Sequence, residues 1–307
     1  MEEAYRLVFV GGMGRSGSTL IERLLGGLPG FCSVGETVHL WRRGVMENEF
    51  CGCGLPFADC GFWTDVGKEA FGGWQRLDVR RVLGLKDRVD RTRFLPVLLN
   101  GSEEGALAER SARYTELYHR LYTAIALVSG SSVIIDASKH ASLAACLRWR
   151  YGARMRLLHV VRDPRAVAHS WSKRVPRPDA SPDSSEPEMA RYSAGRSAVQ
   201  WMAQNACFDA LARRGTPTLR VRYEDFTAAP NEEFARIAEF AGYRGECPDL
   251  KDGVSLSRGH ALSGNPMRFT AGPVGVRADQ GWREALPPWR RRLVAAMTAP
   301  GRRRYGY

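Results

Sequence analysis

The stretch Tyr5-Arg6-Leu7-Val8-Phe9-Val10-Gly11-Gly12-Met13-Gly14-Arg15-Ser16-Gly17-Ser18-Thr19-Leu20-Ile21 decides the fold. Tyr5 to Val10 is a short, mostly apolar run of strand length, and Gly11-Gly12 stops it. From Ser18 the apolar residues Leu20, Ile21, Leu24, Leu25 and Leu28 recur at helical spacing until Pro29-Gly30 breaks the pattern. Strand, glycine loop and helix in this order open a parallel α/β sheet.

Three similar units follow. Val133 to Asp136 predicts a strand and His140 to Tyr151 a helix closed by Gly152. Arg156 to Val161 predicts a strand, with Asp163-Pro164 starting a helix that runs over Arg165 to Lys173. Thr218 to Val221 leads into a helix from about Asn231 to Ala241. The expected architecture is one α/β domain, a parallel sheet of about four to five strands flanked by helices. Cys32-Ser33-Val34 reads as a further short strand beside the first. Residues 37–131 lack a strand pattern and read as a helical insertion over the sheet edge, with Ala106 to Val128 an amphipathic helix carrying Leu107, Tyr114, Leu117, Leu121 and Ile125 on one stripe. Residues 175–188 have disorder-like composition and predict a mobile loop.

Of 307 residues, 44% are hydrophobic and 25% charged, which excludes wholesale disorder. The longest apolar stretch, Leu121 to Val128, is too short to span a bilayer, and Met1 to Arg6 carries acid where a signal peptide carries base. A cytoplasmic location is expected. The net charge of +12 favours anionic partners, and Arg supplies all but five of the 45 basic residues. GC-rich codon usage accounts for much of that skew. Nucleic acid is not the expected anion, because no element interleaves basic and exposed aromatic residues. Arg290-Arg291-Arg292 reads as a solvated face and Arg302-Arg303-Arg304 as a mobile tail.

Gly12-Met13-Gly14-Arg15-Ser16-Gly17-Ser18-Thr19 nearly matches the nucleotide phosphate loop G-x-x-x-x-G-K-[ST], with Ser18 in place of the lysine. Backbone N–H groups at the helix start still cradle an anion, and the loop's cation is Arg15. That suits a nucleotide with one 5′-phosphate and a transferable group better than a triphosphate with magnesium. A second anion site lies at Arg162, at the end of the third unit's strand, with Ser170 two turns along the adjoining helix. Both sit where open α/β sheets bind ligands.

These residues resemble the sulfotransferases that use 3′-phosphoadenosine 5′-phosphosulfate (PAPS). Gly14-Arg15-Ser16-Gly17-Ser18-Thr19 is similar to the family's 5′-phosphosulfate loop, and Val161-Arg162-Asp163-Pro164-Arg165 with Ser170 to its 3′-phosphate motif. Val221-Arg222-Tyr223-Glu224-Asp225 resembles the segment that brings a Tyr near the nucleotide. The likeness spans residues 5–36 and 132–242, and loosely covers Gly264-Asn265-Pro266-Met267-Arg268 and Trp282. Arg15 in place of a loop Lys, with Gly35-Glu36 following 21 residues on, resembles the tyrosylprotein sulfotransferase branch, whose bacterial relatives also act on sugars, glycolipids and natural-product scaffolds.

The resemblance implies transfer of a sulfuryl group from PAPS to a hydroxyl of a small-molecule, carbohydrate or natural-product acceptor. Arg15 is then the cation at the leaving oxygen, Glu36 the base and Lys139 a contact to the sulfuryl group. His39 and His140 are the alternative bases. Tyr223, Arg268 and Trp282 are expected around the adenine and phosphates. Glu36 also reads as an N-cap carboxylate for the helix starting near Thr37. The competing function is a nucleotide kinase or other P-loop NTPase, with Asp136 holding a metal.

Four of seven cysteines, Cys32, Cys51, Cys53 and Cys60, fall between residues 32 and 60. The spacing C-x-C-x₆-C lacks paired C-x₂₋₄-C knuckles and has no flanking His, so free thiols are favoured over a local disulfide or zinc, and no metal is expected.

Overall fold

The computed structural model describes residues 5–100, 105–178 and 188–307. In chain order the elements begin with β1 (Arg6–Gly11), α1 (Ser18–Gly26) and β2 (Phe31–Ser33). The insertion follows with α2 (Gly61–Phe71), α3 (Val79–Val89), α4 (Leu95–Asn100) and α5 (Ala106–Ser129). Next come β3 (Val133–Asp136), α6 (Ala141–Tyr151), β4 (Met155–Val161), α7 (Pro164–Ser172), α8 (Ala194–Arg213) and β5 (Thr218–Arg222). The chain ends with α9 (Tyr223–Ala228), α10 (Pro230–Ala241), β6 (Val254–Leu256), β7 (Gly272–Val274), α11 (Trp282–Ala285), α12 (Pro288–Met297) and α13 (Ala299–Tyr305).

Five parallel strands lie in the order β2-β3-β1-β4-β5, and β6 and β7 form a separate antiparallel pair. The strand order reverses at β1, which opens a crevice beyond its carboxyl end. The alternation of side chains along β1 divides the core in two. Leu7 and Phe9, with Ile134 and Leu157, face Trp41, Trp63, Tyr118, Tyr122 and Phe208. Val8 and Val10, with Ile135, Leu158, Val160 and Val221, face α1 and α10 through Ile21, Leu24, Leu25, Phe234 and Ile237.

Several expectations change on this frame. The insertion packs across one sheet face rather than over an edge alone, because its residues, Trp41, Trp63, Tyr118 and Tyr122 among them, form the largest part of that core. β2 pairs with β3, not with β1, and forms the sheet edge. The expected loop 175–188 is closed at its neck: Met189 N donates to Val175 O at 2.8 Å, and buried Arg177 pairs with Glu49 at 2.5 Å. Residues 179–187 of that loop, and Met1 to Ala4, lie outside the described residues. The supposed tail is α13, whose Arg304 bonds to Asp209, and beyond it Tyr307 donates to Val161 O at 3.1 Å and Glu224 at 2.6 Å. α8 was not foreseen. No helix among the described residues is long and apolar enough to cross a membrane.

The turn out of β1 is possible because Gly12 holds φ 124° and a Cβ there would lie 2.1 Å from the Val160 carbonyl oxygen. Gly84, exposed within α3, meets nothing within 4 Å. Gly12→Ala is expected to destabilise the chain by about 3 kcal/mol, whereas Gly84→Ala stabilises it by about 0.5–1 kcal/mol. Urea midpoints of the two variants, moving in opposite directions, check this.

Candidate active site

A cavity of about 570 Å³ opens at the carboxyl ends of β1, β3, β4 and β5. Its first wall is the glycine loop, where Gly14, Arg15, Gly17, Ser18 and Thr19 all face the space. Arg15 adopts φ 73° and Gly17 φ 90°, so the chain turns twice through the left-handed region before α1 begins. Tyr223 packs so closely that a Cβ on Gly17 would lie 2.3 Å from its ring. The start of α1 has neither a side-chain cap nor an acidic residue in its first turn, leaving its N–H groups available to an anion. Ser16 does not line the cavity, and its buried hydroxyl has no partner.

Trp171 steadies the loop: its indole N–H donates to Gly14 O at 3.0 Å, its ring lies 5.3 Å from the Arg15 guanidinium, and Tyr192 stacks on it at 4.3 Å. Sequence reasoning missed both aromatics, because nothing in the local pattern marks the residue after Ser170 as a loop support. Burial pulls Arg15 below the usual arginine pKa and Glu36 counters this; it remains a cation at neutral pH.

Arg162 and Ser170 form the second wall. The guanidinium donates to Arg15 O at 3.2 Å, linking the two anion sites, and lies over the Tyr223 ring at 4.5 Å. It also pairs with the Asp279 carboxylate at 3.1 Å, while its buried Nε has no partner. Tyr223 lines the cavity and donates to Arg277 O at 3.1 Å. Two expectations are corrected here. Arg268 is buried away from the cavity, donating to Gly264 O at 3.2 Å and Phe50 O at 3.3 Å, and Arg277 lines the cavity instead. Trp282 lies under Arg165 and Arg283 and does not line this cavity.

Between the walls stand Glu36 and Lys139, joined at 2.6 Å. Lys139 follows β3 with φ 59° and also donates to Ala137 O at 2.9 Å. Burial alone would raise the Glu36 pKa, but Lys139 above all, with Arg43, outweighs it and holds the carboxyl below the usual range. Glu36 makes no side-chain cap bond to the turn at Thr37. His39 lies 3.5 Å from the Glu36 carboxylate, and burial pushes its pKa down to about 3, so it is neutral in ordinary buffers. His140, also on the cavity wall, is shifted downward by burial.

Residues 6–273 match the sulfotransferase domain family. The chain belongs to this family. Solved structures similar to this sulfotransferase include the sulfotransferase domain from the Synechococcus PCC 7002 olefin synthase, 20% identical over 95% of this chain and 94% of that one, with a TM-score of 0.47. The sulfotransferase domain from the curacin biosynthetic pathway is 14% identical over 96% and 97% of the two chains, with a TM-score of 0.48. Sulfotransferase STF9 from Mycobacterium avium is 16% identical over 78% and 64%, with a TM-score of 0.41. No curated protein matches the sulfotransferase.

Behind the cavity, α1 contributes one buried acid that the sequence did not flag. Glu22 accepts from Ser33 Oγ at 2.9 Å, and its pKa is pushed from 4.5 up to about 7, chiefly by burial, with Glu36 and Asp136 adding to the effect. Because the folded-state pKa is raised, the stabilising contribution is fully present below about pH 4.5 and is lost as pH rises through about 7. At about 1.4 kcal/mol per unit, the loss is roughly 3 kcal/mol. Glu22→Gln should therefore flatten the stability profile over this window and exceed the parent chain at pH 8, as read from urea midpoints across the pH range.

Proposed function

We propose that the sulfotransferase uses PAPS as donor and transfers its sulfuryl group to a hydroxyl of a small-molecule, carbohydrate or natural-product acceptor. The observation that carries this reading is the joining of two anion sites through the Arg162–Arg15 hydrogen bond, on one cavity with an acid–lysine pair between them. The open N-terminus of α1, with Ser18 and Thr19 on the cavity wall, fits a 5′-phosphosulfate. The Arg162 fork with Ser170 fits a 3′-phosphate. The donor supplies an activated sulfur whose bond to the 5′-phosphate oxygen breaks as a bond to the acceptor oxygen forms.

The chain's own residues then have separable tasks. Arg15 stabilises negative charge on the departing phosphate oxygen, a contact that strengthens as charge develops. Glu36 accepts the acceptor's hydroxyl proton, being ionised at neutral pH. Lys139 holds Glu36 before the donor arrives and contacts the sulfuryl oxygens once it is bound. A P-loop phosphotransferase is disfavoured, since the loop has no lysine and the Asp136 carboxylate is occupied by hydrogen bonds from Thr37, Tyr122 and Ser138.

Adenosine 3′,5′-bisphosphate in EDTA should raise the thermal midpoint, since ligand at ~100 times its dissociation constant adds about 2.7 kcal/mol. Stronger stabilisation by ATP with magnesium would overturn the reading. Glu36→Gln should lower labelled-PAPS turnover by ~10²–10⁴-fold with little change in bisphosphate affinity. Lys139→Met removes the strongest counter to Glu36 burial, so the acidic limb of the kcat/KM profile should move to higher pH.

A further inference from the structure

Beyond the cavity, one cluster of side chains has no part in sulfuryl transfer. Cys51, Cys53 and Cys60, from the loop between β2 and α2, meet His260, which lies between β6 and β7, and the four ligand atoms all lie within 4.8 Å of one another. Cys60 Sγ is 3.7 Å from Cys51 Sγ, 3.7 Å from Cys53 Sγ and 3.3 Å from His260 Nδ1. Cys51 Sγ is 3.9 Å from the same nitrogen. All three cysteines are free thiols, and these separations are far beyond the ~2.05 Å of a disulfide.

A tetrahedral zinc ion with Zn–S of ~2.3 Å and Zn–N of ~2.0 Å spaces its ligands ~3.8 Å apart for two sulfurs and ~3.5 Å for sulfur and nitrogen. Four of the cluster's six edges lie close to these values, and the other two are no longer than 4.8 Å. Its surroundings orient it. Cys51 N donates to Leu55 O and Gly54 N to Cys51 O, both at 2.8 Å, which folds the cysteine loop into a tight turn. The His260 ring stacks on Phe62 at 4.6 Å, and its carbonyl accepts the Trp63 indole N–H at 3.0 Å. The expectation of no metal rested on the lack of paired knuckles and of a flanking His; the fold supplies a His 200 residues from Cys60.

We propose that Cys51, Cys53, Cys60 and His260 bind one zinc ion. Four protein ligands close the coordination sphere, so the ion is structural rather than catalytic. It joins the helical insertion to the segment that borders the cavity. Gly52 N donates to Ala261 O at 3.0 Å, and the next residue, Leu262, accepts from Glu36 N at 2.8 Å and donates to Val34 O at 2.9 Å. Ser263 accepts from Arg43 at 2.7 Å, and Gly264 packs against the Glu36 carboxylate. Zinc at the cluster therefore fixes the wall against which Glu36 rests. Binding converts the three thiols to thiolates with release of their protons, so retention weakens in acid.

The test is elemental analysis of the full chain purified under reducing conditions, together with cobalt substitution. One zinc per chain is expected, with cobalt giving intense visible bands of tetrahedral geometry and a near-ultraviolet thiolate-to-cobalt band. Cys53→Ser and His260→Ala, at half-buried positions, should each lose the metal while bisphosphate still shifts their thermal midpoints. Should a variant fail to fold, the cobalt spectrum of the unaltered chain decides. Three results would overturn the proposal: a substoichiometric zinc content with no cobalt spectrum, a disulfide among the three cysteines by mass spectrometry, or full metal retention in the Cys53→Ser/His260→Ala double variant. None of these depends on the identity of the sulfuryl donor.

Discussion

The carboxylate of Asp136 is the point on which the arrangement around β3 turns. It is fully buried and accepts hydrogen bonds from Thr37 and Tyr122, from Ser138 N at 2.7 Å and from Ser138 Oγ at 2.5 Å. Thr37 directly follows Glu36, Ser138 directly precedes Lys139, and Tyr122 belongs to α5. One buried acid thus fixes the backbone on both sides of the Glu36–Lys139 pair and ties both to the longest helix of the insertion. Removing it would leave several buried donors without acceptors, a penalty larger than that of a single lost bond. Burial outweighs these donors and keeps the Asp136 pKa above the ordinary carboxylate range.

The cavity is a balance of few charges in a confined space. Arg15, Arg43, Lys139, Arg162, Arg177 and Arg277 bring positive charge to its walls, against Glu36 and Glu188. Neutral His39 adds shape without adding another cation. Such a field draws anions inward and, by stabilising the ionised form of Glu36, leaves a proton acceptor in place. The net charge of the whole chain has little bearing on this, since much of the arginine is used elsewhere. Arg304 and Arg220 bind Asp209, and Arg236 pairs with Glu233.

The parallel sheet was legible because its strands are short apolar runs followed by turn residues, and local pattern is enough for that. The glycine loop, Arg162 with Ser170, and Glu36 were picked out by motif spacing and Lys139 by its place after a strand, and the fold brings them around one cavity. Three features depended on long-range packing and were not legible. α8 carries Trp201, Asn205 and Phe208 on its buried side but mixes Arg, Gln and Asn among them, which obscured its period. Arg268 lies within a segment with family resemblance, yet its side chain turns inward to Gly264 and Phe50. The fourth member of the cysteine cluster lies at residue 260, beyond any local reading.

Arg23, on α1, donates to the carbonyls of Ser257 at 2.9 Å, Met267 at 2.7 Å and Thr270 at 2.6 Å. One guanidinium thereby closes the neck of the loop that runs between residues 257 and 270. A peptide bond cut inside that loop would leave both new ends held to α1, so cleavage there need not release the C-terminal part of the chain.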